Sequence, residues 1–241
     1  MKLSIIVPAF NEEAYLPSML DSVQSAEAHL LARAKVDVDL IVVDNNSADE
    51  TAATALERGA RVVREPMQGV ARARNAGARH ADGDVLVFID ADVIAPPELL
   101  GEIRAAMRDP ACVGGAVDVD YRPQRFSMKL YLRAWRILAR ILGMAQGATQ
   151  FCRRCVFEQV GGYDENAWIG EDTDFYAGLK KFAKVRGAQV RFIRRPRVQP
   201  SCRRFDKWPI WKVLIWTNPL VIALLRRRKS VWAGWYSHPV R

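Results

Sequence analysis

Val85 to Asp92, V-L-V-F-I-D-A-D, is an unbroken apolar run that ends in two carboxylates separated by one small residue. The run between Asp84 and Asp90 fits a strand of a parallel sheet covered on both faces, and such sheets bind ligands outside the carboxyl ends of their strands. Asp90 and Asp92 sit at that end. Side chains two apart along an extended chain point the same way, so the pair can share one hard divalent cation. Magnesium binds in this manner, through one or two carboxylates plus substrate phosphates. Because D-x-D is a short pattern, the two acids read equally as the start of a solvated loop before Pro96 and Pro97.

The neighbouring stretches repeat the layout. Leu3 to Val7 reads as a buried strand, followed by a turn at Pro8 to Glu13 that opens a helix to about Ala34, with Asn11 as its N-cap. Asp39 to Asp44 reads as a second strand tipped by an acid, with a helix over 48–58 after it. A short strand over 61–64, a helix over 69–80, the strand over 85–90 and a helix from Pro96 or Pro97 to Arg108 continue the alternation. Strands alternating with helices predict an α/β/α sandwich with a mostly parallel central sheet.

A chain of 241 residues that is half apolar can bury one large core with an appendage. Its charge is divided: residues 1–120 carry 11 Lys/Arg against 20 Asp/Glu, and residues 121–241 carry 25 against 7. An acidic front suits a metal, and a basic back suits an anionic partner, either nucleic acid or a membrane surface. Cys152 and Cys155 have zinc-knuckle spacing but no second close pair, so the cysteines read as free thiols. The apolar run at the N-terminus is too short for a signal-peptide core.

Four segments in order, V-P-A-F-N-E-E at 7–13, V-V-D-N-N-S-A-D-E-T at 42–51, G-V-A-R-A-R-N-A-G at 69–77 and F-I-D-A-D at 88–92, resemble glycosyltransferase family 2. These are inverting nucleotide-sugar transferases of the GT-A (Rossmann-like) fold. A fifth segment, V-G-G-Y-D-E at 160–165 followed by G-E-D-T-D at 170–174, is similar to the family's acceptor-side motifs, so the resemblance covers about residues 2 to 205.

The resemblance implies roles. Pro8, Ala9 and Phe10 would line the nucleotide base, Glu12 would accept from a ribose hydroxyl, and Asp44 would meet the base edge. Arg74 would point a fixed cation toward the base or diphosphate, with Arg72 left as a surface charge. Asp90 and Asp92 would together meet the ribose and the metal-bound diphosphate, both as ligands of the Mn2+ or Mg2+ cofactor. Inversion requires a base on the face opposite the leaving group. Asp172 fits that role, with Glu171 and Asp174 as competitors and Glu171 otherwise a substrate-binding residue; acids in a first helical turn also stabilise the helix dipole without any chemistry.

Two departures from the family's pattern matter. Asp44-Asn45 stands where many members have two acids, which leaves the base preference open. Gln150-Phe151-Cys152-Arg153-Arg154 approaches the processive Q-x-x-R-W segment but lacks its tryptophan, which implies transfer of a single sugar. The pair Arg203-Arg204 resembles a basic pair of many relatives, and arginine forks suit either the donor diphosphate or a lipid phosphate; it also reads as surface charge.

The basic half holds two further stretches. From Phe126 to Leu142, Lys129, Arg133, Arg136 and Arg140 recur at helical spacing on an otherwise apolar helix, a pattern of the membrane interface or of a core helix with a solvated face. Trp208 to Leu225 has 13 apolar residues of 18, interrupted by Pro209, Lys212, Asn218 and Pro219, and is followed by R-R-R-K. It reads as a monotopic or re-entrant element, or as a dimer interface.

The combined expectation is a GT-A domain over 1–205, with a nucleotide-sugar part at 1–120 and an acceptor-side part at 121–205, plus a membrane-associating helical appendage at 206–241. Its partners are a nucleotide-sugar donor, a UDP-sugar in the first instance, a hydroxyl acceptor that is lipid-linked or at the membrane surface, and no nucleic acid. The oligomeric state stays open. Its place would be the cytoplasmic side of the cell membrane, peripheral or monotopic. The rivals are a nucleotidyltransferase, for which Pro8 to Glu13 lacks a glycine-rich phosphate loop with its lysine, and a non-catalytic basic protein that binds membranes or nucleic acid.

Overall fold

The computed structural model describes residues 1–141, 147–228 and 230–232. Expectations that fall on Leu142, Lys229 and residues 233–241 lie outside the described residues. The front half runs β1 (Lys2–Ala9), α1 (Leu16–Leu31), β2 (Asp37–Asp44), α2 (Thr51–Glu57), β3 (Arg61–Arg64), α3 (Val70–His80), β4 (Val85–Ile89), β5 (Val93–Ile94) and α4 (Leu99–Met107). The back half runs β6 (Cys112–Val119), α5 (Phe126–Ile141), β7 (Thr149–Arg153), α6 (Arg154–Val160), α7 (Glu171–Arg186) and β8 (Gln189–Pro200). Three short helices follow: α8 (Arg203–Lys207), α9 (Ile210–Trp216) and α10 (Pro219–Leu225).

The strands form one sheet in the order β3-β2-β1-β4-β7-β6-β8-β5. β3, β2, β1 and β4 are mutually parallel, as the alternation predicts; β7 then enters antiparallel between β4 and β6. Period-two alternation buries both faces of β4. Val85, Val87 and Ile89 join the core under α1 and α4, while Leu86 and Phe88 join the core under α3, α6 and α7. Two apolar layers on one sheet make the α/β/α sandwich.

Three helices begin later than the sequence pattern suggests. Asn11 is not an N-cap: it holds φ 51°, and its Oδ1 accepts from Ala48 N–H at 2.6 Å, so the chain after β1 is tied sideways and α1 starts only at Leu16. The helices expected from Ala48 and from Pro96 or Pro97 start at Thr51 and Leu99. Residues 208–225 do not hang apart from the sheet domain. Trp208 and Val213 bury themselves against Met128 of α5, with Tyr131, Phe205 and Trp216 packed around them. Among the described residues no helix is long and apolar enough to cross a membrane.

Candidate active site

Much of the polar chemistry of the loops after β1 and β2 is spent on joining them. Asn11 N–H donates to Ser47 Oγ (2.9 Å) and Glu12 N–H to Thr51 Oγ1 (2.8 Å), while Glu50 N–H donates to Glu13 Oε2 (3.0 Å), stitching the β1 and β2 loops together. Asn45 ties in a third loop: its Oδ1 accepts from Gly69 N–H (2.7 Å), and its Nδ2 donates to the carbonyls of Glu65 (3.1 Å) and Met67 (2.9 Å). An acid at position 45 would present oxygen to two carbonyls, which accounts for the amide here.

Beyond the carboxyl ends of β1 and β4 lies a cavity of about 530 Å³. Pro8, Phe10, Glu12, Arg74, Asp90, Asp92, Glu171 and Asp172 all line it. The two acids of D-x-D are set by a turn instead of an extended strand: β4 stops at Ile89, and Val93 N–H donates back to the Asp90 carbonyl (3.1 Å). Each acid therefore meets a different arginine. Arg74 Nη2 donates to Asp90 Oδ1 and Nη1 to Glu171 Oε1, both at 2.7 Å. Arg203 grips both oxygens of Glu12, through Nη1 to Oε2 at 2.7 Å and Nη2 to Oε1, and its Nη2 lies 3.4 Å from Asp92 Oδ2. Tyr15 lies under the Arg203 guanidinium, 4.4 Å from its ring centroid.

These bridges revise two roles. Arg74 lines the cavity, yet each of its terminal nitrogens is on a carboxylate, so it is also a buried clamp between β4's tip and α7. Glu12, expected to face a ribose, has both oxygens on Arg203, because a planar guanidinium fork matches a carboxylate in bidentate fashion. Two residues stand aside from the cavity. Ala9 faces the α1–α4 core, and Asp44 is buried with Oδ1 accepting from Ser47 N–H (3.1 Å). Arg72 is not a loose surface charge either, since it pairs with Glu165 at 2.9 Å.

The three acids opening α7 are separated by their partners. Glu171 is held by Arg74, and Asp174 pairs with Arg226. Asp172 makes no direct ion pair with an arginine among the described residues, although the nearby Arg74 charge also favours its ionised form. It is held instead by backbone: the N–H groups of Gly147 and Thr173 stabilise its carboxylate, and Gln150 Nε2 donates to its carbonyl at 2.9 Å. A Cβ on Gly147 would stand 2.2 Å from Asp172 Oδ2, so only glycine fits there. Gly170, at φ 79°, turns the chain into α7 in a conformation that other residues rarely adopt.

Beneath this network Tyr163 donates its hydroxyl to Gln150 Oε1 (3.0 Å) and lies 5.1 Å under Arg74. Its ring packs on Phe175 at 4.3 Å and edge-on to Phe88 at 5.1 Å. The aromatic cluster fixes the α7 acids to β4, with each ring pair contributing about 0.5–1.5 kcal/mol beyond its buried area.

Burial pushes the Asp92 carboxyl up to about 6, with nearby Glu12 and Asp90 adding to the rise and Arg203 opposing it. Burial likewise pushes Glu171 up to about 7 against the pull of Arg74, and raises Asp172. Six carboxylates and four guanidiniums line the cavity among the described residues. Asp90 and Asp92 carry hard carboxylate oxygens of the kind that suits Mg2+ or Mn2+. No group of three or more His, Cys, Asp or Glu side chains among the described residues could hold a metal alone, so substrate oxygens would complete the shell.

A sandwich whose parallel strands end at a carboxylate-lined cleft is the GT-A arrangement of nucleotide-sugar transferases. The chain belongs to glycosyl transferase family 2, whose model matches residues 4–161. It is 30% identical over 153 residues to undecaprenyl-phosphate 4-deoxy-4-formamido-L-arabinose transferase of Enterobacter sp. (strain 638), covering 61% of this chain and 44% of that one. It is 40% identical over 107 residues to glucosyl-3-phosphoglycerate synthase of Mycobacterium tuberculosis, covering 40% and 31%. The chain thus spans less than half the length of either relative. Among solved structures it is similar to S. aureus TarS (TM-score 0.63, 18% identity, 95% of this chain and 66% of that one). It is also similar to the M. tuberculosis synthase in complex with Mn2+, UDP and glucosyl-3-phosphoglycerate (TM-score 0.60, 22% identity, 94% and 79%).

Sequence reasoning brought together eight of the lining residues and missed Arg203 as a partner of Glu12 and Asp92. It also missed Gly147, Gln150 and Tyr163 as supports of Asp172 and Arg74. Arg203 carried a signal, the basic pair after α7. Gly147 carried none, since its constraint is a contact across 25 residues of chain.

Proposed function

We propose that the protein transfers a single sugar, with inversion, from a nucleoside-diphosphate sugar to a hydroxyl acceptor that is lipid-linked and presented at a membrane surface. The observation that carries this reading is that one cavity gathers Asp90 and Asp92, just beyond the end of β4, together with Asp172 at the start of α7, which makes no direct ion pair with an arginine among the described residues. Pro8 and Phe10, which line the same cavity, would meet the nucleotide base. Asp90 and Asp92 would hold Mn2+ or Mg2+, which supplies the charge that stabilises the departing nucleoside diphosphate. Asp172 takes the proton from the acceptor hydroxyl as its oxygen attacks the anomeric carbon, and the donor's sugar–phosphate bond breaks on the other face. Glu171, locked to Arg74, positions the helix that carries Asp172.

The glucosyl-3-phosphoglycerate synthase complex, which holds Mn2+ and UDP, supports a UDP-sugar and a divalent metal. The undecaprenyl-phosphate transferase relative supports a lipid-linked acceptor, and with it a peripheral or monotopic place on the cytoplasmic side of the membrane. In this reading 1–120 binds the donor, 121–205 the acceptor, and 206–241 the membrane. Release of nucleoside diphosphate from a panel of UDP- and GDP-sugars with Mn2+ tests it. Turnover of a UDP-sugar that stops on chelation and returns with metal is expected; turnover indifferent to chelation, or a GDP-sugar as sole donor, would overturn the metal or base assignment.

A further inference from the structure

The cavity has a second wall that the donor chemistry does not use. Tyr131, Leu132 and Trp135 of α5 face it from one side, and Trp216, Ile222 and Ala223 of the α9–α10 region face it from another. Two hydroxyls of this wall bond within the protein: that of Tyr131 bonds Thr217 Oγ1, which in turn donates to the Val213 carbonyl at 2.7 Å. Such a wall is mostly apolar contact area, better suited to a hydrocarbon chain than to a sugar or a small anion.

The outer faces of the same helices are also apolar. Phe126 is 81% exposed, Leu130 65%, Ile137 58%, Trp211 61% and Leu224 81%. α5 carries the exposed cations Lys129 and Arg133 among these side chains, and α5, α9 and α10 contain no acidic residue. Exposed apolar side chains interleaved with cations and free of acids complement an anionic lipid surface. Each helix is therefore apolar toward both the lipid side and the cavity.

We propose that the wall between α5 and the α9–α10 pair is a slot for the apolar chain of the acceptor, which enters it from the lipid face those helices present outward. The polar head at the end of that chain, which carries the acceptor hydroxyl, then lies toward Asp172, which lines the same cavity. This rests on the transferase reading above and adds the residues that select a long-chain acceptor over a soluble one. Arg226, which pairs with Asp174, lines the same cavity and is a cation that could meet a headgroup phosphate.

The test is calorimetric titration of the full chain with decyl phosphate below its micelle concentration, with glycerol phosphate as the chainless head and maltotriose as an uncharged glycan. Decyl phosphate is expected to bind at least about a hundredfold more tightly than glycerol phosphate, because each buried methylene adds to affinity. Trp135→Gln and, at the facing wall, Ile222→Gln should each weaken decyl phosphate by about tenfold. A separate titration with UDP and Mn2+ and a melting curve establish that the variants are folded. Equal binding of the two phosphates, no binding of either, binding of maltotriose alone, or indifference to both substitutions would overturn the slot. If wild-type protein binds decyl phosphate as expected but no nucleoside diphosphate with metal, the donor reading fails while the slot stands.

Discussion

Arg74 is the place where the site and the stability of the fold meet. Its side chain is 3% exposed and bridges Glu171, 7% exposed, and Asp90, 35% exposed. Arg74→Met keeps the length and removes the charge, leaving a buried carboxylate unpaired at Glu171, a change that typically costs about 3–5 kcal/mol. The Asp90 arm is partly solvated and adds about 0–1 kcal/mol. For a chain of this size the loss lowers the melting temperature by about 2–4 °C per kcal/mol.

The pH dependence gives the deficit its signature. In the wild type Glu171 has its carboxyl raised from 4.5 to about 7, so its contribution to stability is full below about pH 4.5 and is lost as pH climbs through 7. Without Arg74 that carboxyl rises further. Below about pH 6 Glu171 is protonated in both proteins and the deficit is level. Above pH 7 the deficit widens by about 1.4 kcal/mol per pH unit for as long as the variant keeps its proton. Urea unfolding of both proteins from pH 5 to 9 measures this. A deficit under about 1 kcal/mol that stays flat across the range would show that solvent screens the bridge and that Arg74 clamps nothing.

Other substitutions probe the remaining supports. Gly147→Ala forces a Cβ onto the Asp172 carboxylate and should lower kcat by about a hundredfold or more, the scale of a lost general base, with KM for the donor little changed; a rise in donor KM at constant kcat would contradict the placement of Asp172. Asn45→Ala removes three loop-joining bonds and should cost about 1–3 kcal/mol in urea unfolding, whereas no loss would mean the loops hold without it. Sedimentation with anionic phosphatidylglycerol vesicles should carry the protein down at low salt, and Lys129→Glu with Trp211→Asp should release it; equal binding to neutral vesicles would remove the charge argument.

The sequence made the layout of the front half legible because buried parallel strands are written as continuous apolar runs, and because β4 ends abruptly in Asp90 and Asp92. What it concealed is pairing over distance. Arg74 reads as a cation aimed at a ligand until Glu171, 97 residues away, is seen to take one of its arms. Asn11 has the composition of a helix cap, yet a loop contact 37 residues on captures its side chain. The stretch from Phe126 reads as one basic stripe on an apolar helix, but Arg136 turns inward toward the Val119 carbonyl (3.5 Å), while Lys129 and Arg133 stay exposed beside Leu130 and Ile137. Periodicity identifies a face; only packing decides which face is covered.

The separation of a metal-and-donor end from a base is tested most directly by titrating UDP, with and without Mn2+, into the wild type, Asp92→Asn and Asp172→Asn. Metal-dependent binding that is lost in Asp92→Asn and near normal in Asp172→Asn, with sugar transfer abolished in both, is the predicted result. Equal loss of nucleotide binding in the two variants would contradict it.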